Sequence, residues 1–301
     1  MTTIPVIDLT PARLEGEAGM QRVAADIDRA CRESGFFVVK GHGYAREIFA
    51  EAHAASKTFF QLPLTTKNQC RLSTGATLPQ DPYTPYGYSG LLEENAFAYM
   101  GQQGKPSDYV EKISAGRLIL NDNESLPFPD SDLGRDLRQK LKRYYQACDA
   151  IALNLTELFT IPLGVHRTYF SERMDRANDS MRSQLYPGLS AELLNDQGMG
   201  AHTDGTVLTL LTQTAPGIQV RINEGEWVAP VTADVDHIIV NIGDLMAHWS
   251  NHEYVSTEHR VVLGSQERQS IVFFKLTNED ELVQSGNKQM DALFGRENMA
   301  A

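Results

Sequence analysis

The 301-residue chain is 42% hydrophobic and 22% charged, with a net charge of −12 at pH 7. That composition is ordinary for a globular protein and long enough to bury a large core. The acidic balance excludes a general binder of nucleic acid or of an anionic membrane, and no run approaches the ~18 apolar residues of a membrane span.

In chain order, Ile4–Asp8 predicts a short strand. Met1–Leu9 lacks a basic n-region and a long apolar run, so no signal peptide is expected. Met20, Val23, Ile27 and Ala30 recur at helical spacing and predict a helix over roughly 17–33, with Gly35 placed to end it. Gly35–Lys40 reads as a buried strand closed by Gly41-His-Gly43; the third glycine of a dinucleotide fingerprint would fall at Arg46, which excludes that reading. Ala45–Phe60 predicts a second helix. The stretch 71–130, rich in Pro, Gly, Asp and Tyr, reads as irregular, and its aromatics Tyr83, Tyr86, Tyr88, Phe97 and Tyr99 are expected at the mouth of a site, with Tyr88 the candidate substrate contact. Asp132–Phe159 is the longest predicted helix, with Asp132 as its N-cap.

After Met181–Pro187 the pattern turns to strands: Val207–Thr214, Ile218–Ile222, Val228–Val231, His237–Ile242, Glu258–Val262 and Ser270–Leu276. Turns at Ala215-Pro-Gly217, Glu224-Gly225 and Gly243-Asp244 separate them. Short strands at this spacing predict a β-sandwich or rolled barrel, mainly β with flanking helices. No repeat or linker divides the chain, so a single domain over 1–301 is expected, with a helix-rich part at 1–175 and a β core at about 176–280. Cys31, Cys70 and Cys148 are too few and too scattered for a disulfide framework or a cysteine zinc site, and fit a reducing, cytoplasmic setting.

The chemistry concentrates between Gly198 and Ser270. On a strand, His202 and Asp204 would share one face and converge on one point. Two histidines and one carboxylate, with other positions open, is the ligand set of oxygen-activating non-haem Fe(II). His237, His248 and His252 compete for the third position. His237 reads as a strand-end residue, and His248 and His252 as loop residues; His259, in a strand near Arg268, is preferred. Arg268 and Ser270 share a face with Val272, Phe274 and Leu276, with Lys275 on the other. A guanidinium turned inward needs an anion, and beside a hydroxyl it makes a clamp for a carboxylate. Thr206, Trp249 and Phe274 are further candidates for shaping a substrate pocket.

Taken together, Ile4-Pro-Val-Ile-Asp-Leu9, Ala30–Phe37, Gly41-His-Gly43, Ala201-His-Thr-Asp204, Leu208-Thr-Leu-Leu211, Asn241-Ile-Gly-Asp244, His259-Arg-Val-Val262 and Arg268-Gln-Ser270 stand in the order of a known family. Over nearly its whole length the chain resembles the Fe(II)/2-oxoglutarate-dependent dioxygenases of the isopenicillin N synthase-like group. The resemblance implies a double-stranded β-helix, or jelly roll. It implies His202, Asp204 and His259 as iron ligands, Arg268 and Ser270 on the distal carboxylate of 2-oxoglutarate, and Tyr186 at the co-substrate. It further implies O2 as oxidant, succinate and CO2 as products, and a small-molecule metabolite oxidised at an unactivated C–H by hydroxylation, desaturation or cyclisation. The chain departs from the family at Gln184-Leu-Tyr-Pro187, where plant members carry Asn-Tyr-Tyr-Pro. The Arg-x-Ser pair also occurs in relatives that need no 2-oxoglutarate, so an Fe(II) oxidase independent of it stays open, as does a non-catalytic barrel that binds metal and a small acid. The resemblance gives neither the substrate nor the oligomeric state.

Overall fold

The computed structural model describes residues 3–73, 76–189, 197–222 and 225–283. In chain order it runs β1 (Val6–Asp8), α1 (Thr10–Leu14), α2 (Gly16–Glu33), β2 (Phe36–Lys40), α3 (Arg46–Phe60), α4 (Leu64–Asn68), β3 (Thr77–Leu78), β4 (Asp81–Pro85), β5 (Gly87–Ser89), α5 (Ala96–Tyr99) and β6 (Glu111–Gly116). It continues with α6 (Asp132–Leu163), β7 (Ser180–Tyr186), β8 (Gln197–His202), β9 (Leu208–Gln213), β10 (Ile218–Ile222), β11 (Glu226–Val228), β12 (Ile238–Ile242), α7 (Asp244–Trp249), β13 (His259–Val262) and β14 (Arg268–Lys275).

Two sheets form the core. The larger has the order β1-β2-β12-β9-β14-β7-β6-β5, and the smaller has the order β11-β10-β13-β8. This is a mainly β molecule, as the strand pattern predicts, built on the double-stranded β-helix that the resemblance implies. The central strands of the larger sheet, β2, β12, β9 and β14, are buried on both faces, which is why they read as nearly unbroken apolar runs. Phe37, Val39, Leu210, Val240, Ile271 and Phe273 pack outward against α2, α3 and α6. Phe36, Val38, Leu211, Ile239 and Val272 face inward and meet Ile218, Val220 and Ile222 of β10. Each such apolar side chain contributes about 1.5–3 kcal/mol when fully buried.

Strand alternation therefore sends polar residues inward where the core stops. Thr209 and Asn241 belong to the inward set of β9 and β12, and both are buried. Lys275 takes the outward face of β14, where its ammonium meets Asp149 at 2.7 Å and Asp179 at 2.8 Å and ties the sheet to α6.

The structure corrects several expectations. The 71–130 stretch is not irregular throughout: it supplies β3–β6 and α5. The N-cap of α6 is Ser131, whose Oγ accepts from Gly134 N at 3.2 Å, while Asp132 is its first helical residue. The strand expected at Val228–Val231 lies at Glu226–Val228 instead. The stretch read as a loop after Gly243-Asp244 is helix α7, which contains His248. Of the Glu224-Gly225 turn, Glu224 lies outside the described residues. The end of α2 agrees: Gly35 takes φ +66° and donates to Ala30 O at 3.0 Å, closing the helix before β2.

Candidate metal centre and co-substrate pocket

His202 closes β8 and His259 opens β13, and the two stand directly opposite each other in the antiparallel ladder. Their rings lie 4.4 Å apart. Asp204 follows two residues after His202, beyond the end of β8. It converges because the chain turns back toward β9 there, not through strand alternation. Asp204 Oδ1 lies 3.6 Å from His202 Nε2, and its Oδ2 lies 3.7 Å from His259 Nε2. One ligand atom from each of the three residues falls within 4.8 Å of the others. Among the described residues, this is the one such group of three or more His, Cys, Asp or Glu.

Hydrogen bonds behind the three residues prepare them for a metal. His202 Nδ1 meets Gly200 O at 2.8 Å and His259 Nδ1 meets Thr257 O at 3.1 Å. A carbonyl can only accept, so each Nδ1 carries the proton and each Nε2 lone pair faces the centre. Burial pulls the His259 pKa down to about 4, which keeps the ring neutral and able to ligate at neutral pH. Burial pushes the Asp204 pKa up, but the positive charge that the neighbouring histidines carry when protonated, with two hydrogen bonds, outweighs it and holds the carboxyl below its usual range. Those bonds come from Thr209 Oγ1 at 2.7 Å and Asn241 Nδ2 at 2.9 Å, both to Oδ2. Two neutral imidazoles and an anionic carboxylate, buried and aimed at one point, fit a divalent iron ion.

A cavity of about 290 Å³ opens over this centre. Its wall includes Glu94, Tyr99, Arg182, Gln184, Tyr186, Thr206 and Phe274 beside the three candidate ligands. Arg268 is buried at the start of β14, paired in register with Tyr186, and its guanidinium lies 4.7 Å over that ring. Its Nε donates to Ala215 O at 3.2 Å and its Nη2 to Gln213 Oε1 at 2.9 Å. Its Nη1 is buried without a partner. Ser270, paired with Gln184, donates to Gln184 Oε1 at 3.2 Å. Gln184 thus fills the place where the sequence departs from the plant pattern. Neither Arg268 nor Ser270 lines the cavity: each lies behind its wall, Arg268 against Tyr186 and Ser270 against Gln184.

The substrate-contact expectations divide. Thr206 and Phe274 line the cavity. Tyr88 does not: it is buried between β6 and the helical layer, and its hydroxyl donates to Glu111 Oε2 at 2.7 Å. Trp249 does not either, since it is buried in the helix-side core against Phe170. Of the aromatics at 83–99, Tyr99 lines the cavity. Sequence reasoning missed Arg182, Glu94, Thr209 and Asn241. The last two carry a legible signal, a lone polar residue inside an otherwise apolar strand.

A jelly roll holding two histidines and a carboxylate is the architecture of an iron-dependent oxygenase. Comparison with known proteins agrees. Residues 177–277 match the 2OG-Fe(II) oxygenase superfamily, and residues 4–130 match the family described as non-haem dioxygenase in morphine synthesis N-terminal. Gibberellin 20 oxidase 2 of Oryza sativa subsp. indica is 31% identical over 93% of this chain and 69% of its own length. Homoarginine-6-hydroxylase 2-ODD-C23 of Glycine max is 29% identical over 98% and 94%. The crystal structure of a full-length Neurospora crassa protein in complex with alpha-KG superposes with a TM-score of 0.80 at 25% identity, covering 94% of this chain and 87% of that one. The chain belongs to the Fe(II)/2-oxoglutarate-dependent dioxygenases. It is an oxidoreductase that uses Fe(II), O2 and 2-oxoglutarate to oxidise a small molecule.

Proposed function

We propose that His202, Asp204 and His259 hold the iron, that Arg268, Ser270 and Tyr186 secure 2-oxoglutarate, and that the substrate is a small metabolite oxidised at an unactivated C–H in the cavity lined by Thr206 and Phe274. The observation that carries this reading is the convergence of two imidazole Nε2 atoms and one carboxylate from two separate chain segments. When bound, Fe(II) supplies oxygen activation, with 2-oxoglutarate as the reductant that leaves as succinate and CO2.

The protein's own part is positioning. Gly200 O and Thr257 O fix the histidine tautomers, and Thr209 and Asn241 fix the carboxylate. Arg268, buried and with one nitrogen unpartnered, supports binding of an anionic group. Apolar lining by Leu211, Val272 and Phe274 keeps water from the reacting centre. The outcome, whether hydroxylation, desaturation or cyclisation, follows from how the substrate is held. Three buried free thiols support a reducing, cytoplasmic setting, and the net charge of −12 supports a small-molecule partner over nucleic acid. No helix among the described residues is long and apolar enough to cross a membrane.

The test is anaerobic addition of Fe(II) and 2-oxoglutarate to the purified protein, read by the visible metal-to-ligand charge-transfer band. The wild type is expected to show the band and, with O2, to form succinate. Asp204→Ala should abolish iron binding. Arg268→Ala should weaken 2-oxoglutarate at least about tenfold, roughly the loss of one charge-assisted hydrogen bond, and iron far less. An intact band in the Asp204 variant, or equal losses of both ligands in the Arg268 variant, would refute these roles.

A further inference from the structure

Strand β7 lays Ser180, Arg182, Gln184 and Tyr186 along the cavity by alternation. Arg182 is paired in register with Ser114 on one side and Val272 on the other. Its guanidinium carbon lies 5.2 Å over the ring of Phe274. Its Nε is shielded from solvent and has no hydrogen-bond partner, and the residue forms no ion pair among the described residues.

The neighbouring acids are already engaged. Glu94 takes Lys112 Nζ at 2.6 Å on Oε1 and the Tyr99 hydroxyl at 3.0 Å on Oε2. Asp108 takes Ala96 N at 2.8 Å on Oδ2, and Gly200 N at 2.8 Å with Gln197 Nε2 at 2.9 Å on Oδ1. Lys112 is likewise committed to Glu94. Among the described residues lining the cavity, Arg182 is thus a cation that no carboxylate pairs with directly, although the nearby Glu94 charge acts on it. A guanidinium in that position favours an anion, and its planar fork matches a carboxylate. Glu94 and Asp108 already hold these partners, so an ammonium group would have to share them rather than meet an unengaged carboxylate. Much of the remaining wall is apolar: Met100, Leu211, Val272, Phe274 and Leu276.

We infer that the molecule oxidised is a small organic acid with an apolar body and no amino group, its carboxylate paired with Arg182. The inference deepens the reading of this cavity as the substrate site and rests on it. It is tested by calorimetric titration of anaerobic protein loaded with Fe(II) and saturating 2-oxoglutarate, so that the Arg268 position is already filled. The probes are phenylacetate, 3-phenylpropanoate and hexanoate, each beside its amide, with phenylalanine as the amino-acid counterpart.

At least one acid is expected to bind about tenfold or more tightly than its amide and than phenylalanine, a difference of about 1.4 kcal/mol. Arg182→Gln should erase that preference, and Arg182→Lys, which keeps the charge without the fork, should retain part of it. The charge-transfer band of each variant reports whether it is folded. Equal binding of acids and amides, tighter binding of phenylalanine, no saturable binding of any acid, or equal loss of acid and amide on substitution would each overturn the inference. The band is recorded before any acid is added, so failure of the metal-centre reading shows separately. Without a band, the same titration of the metal-free protein still decides the role of Arg182.

Discussion

Asp204 Oδ2 accepts from both Thr209 and Asn241, and those two donors fix the plane of a carboxylate that lies just past the end of its strand. Hydrogen bonds of this kind behind a metal ligand are worth about 10–100-fold in metal affinity. Thr209→Val keeps the shape and removes the donor, so Fe(II) affinity should fall within that range while Thr209→Ser stays near wild type. Competitive titration against a fluorescent chelator measures both, and a Val variant with unchanged affinity would show that the carboxylate orients itself. At this scale the convergence of the three proposed ligands was legible, because His-x-Asp between glycines and a second strand histidine near an inward arginine is a specific pattern. Glu94 and Arg182 were not legible. Nothing local marks them: Arg182 is placed by the β6–β7–β14 register and Glu94 by its ion pair with Lys112 of β6. Tyr88 and Trp249 misled for the opposite reason: aromatics near a site in sequence are as well used filling the layer behind it.

Among the elements, the turn before β10 sets the position of the arginine. A methyl group at Gly217 would come within 2.7 Å of Arg268 Cδ and 2.8 Å of its Nε, with Val262 O at 3.2 Å on the other side. Gly217→Ala should therefore push the guanidinium off its seat. The expected result is a loss of about 1–3 kcal/mol in stability, as for other overpacked sites. A higher apparent Kd for 2-oxoglutarate and little change for Fe(II) should accompany it. Urea unfolding and co-substrate titration read these separately, and an unchanged Kd would mean the side chain yields without moving its charged end. The long helices were readable from their period, and the β-rich half from apolar runs between turns. The 71–130 stretch was not, because its strands are two to six residues long and gain their identity from partners far along the chain. β6 even carries Glu111 and Lys112, both buried, which in sequence look like a solvated turn. Helix α7 is six residues long, too short for a period to show.

Across the whole molecule, the helical layer is fastened to the large sheet by a buried polar contact as well as by apolar packing. His53 of α3 meets Thr212 Oγ1 of β9 at 2.9 Å, and Tyr144 of α6 meets the same hydroxyl at 3.0 Å and Ile271 O at 2.8 Å. Burial drives the His53 pKa down to about 4, with the nearby Arg268 charge acting in the same direction. The unfolded chain takes up a proton near pH 6.5 that the folded chain refuses until about pH 4. Stability is therefore full above pH 6.5 and falls with acidification by up to about 1.4 kcal/mol per pH unit, about 3 kcal/mol in all, levelling off below the folded pKa. Asp179 works in the opposite direction: burial lifts its pKa to about 6, so its protonation favours the folded state as the pH drops. The His53 contribution is isolated by difference. Between about pH 7.5 and about pH 5, the wild type should lose about 2 kcal/mol more in urea unfolding than His53→Gln, whose amide can still donate to Thr212 without titrating. Equal losses in the two proteins would mean that the acid sensitivity arises elsewhere and that the neutral histidine between helix and sheet is not its cause.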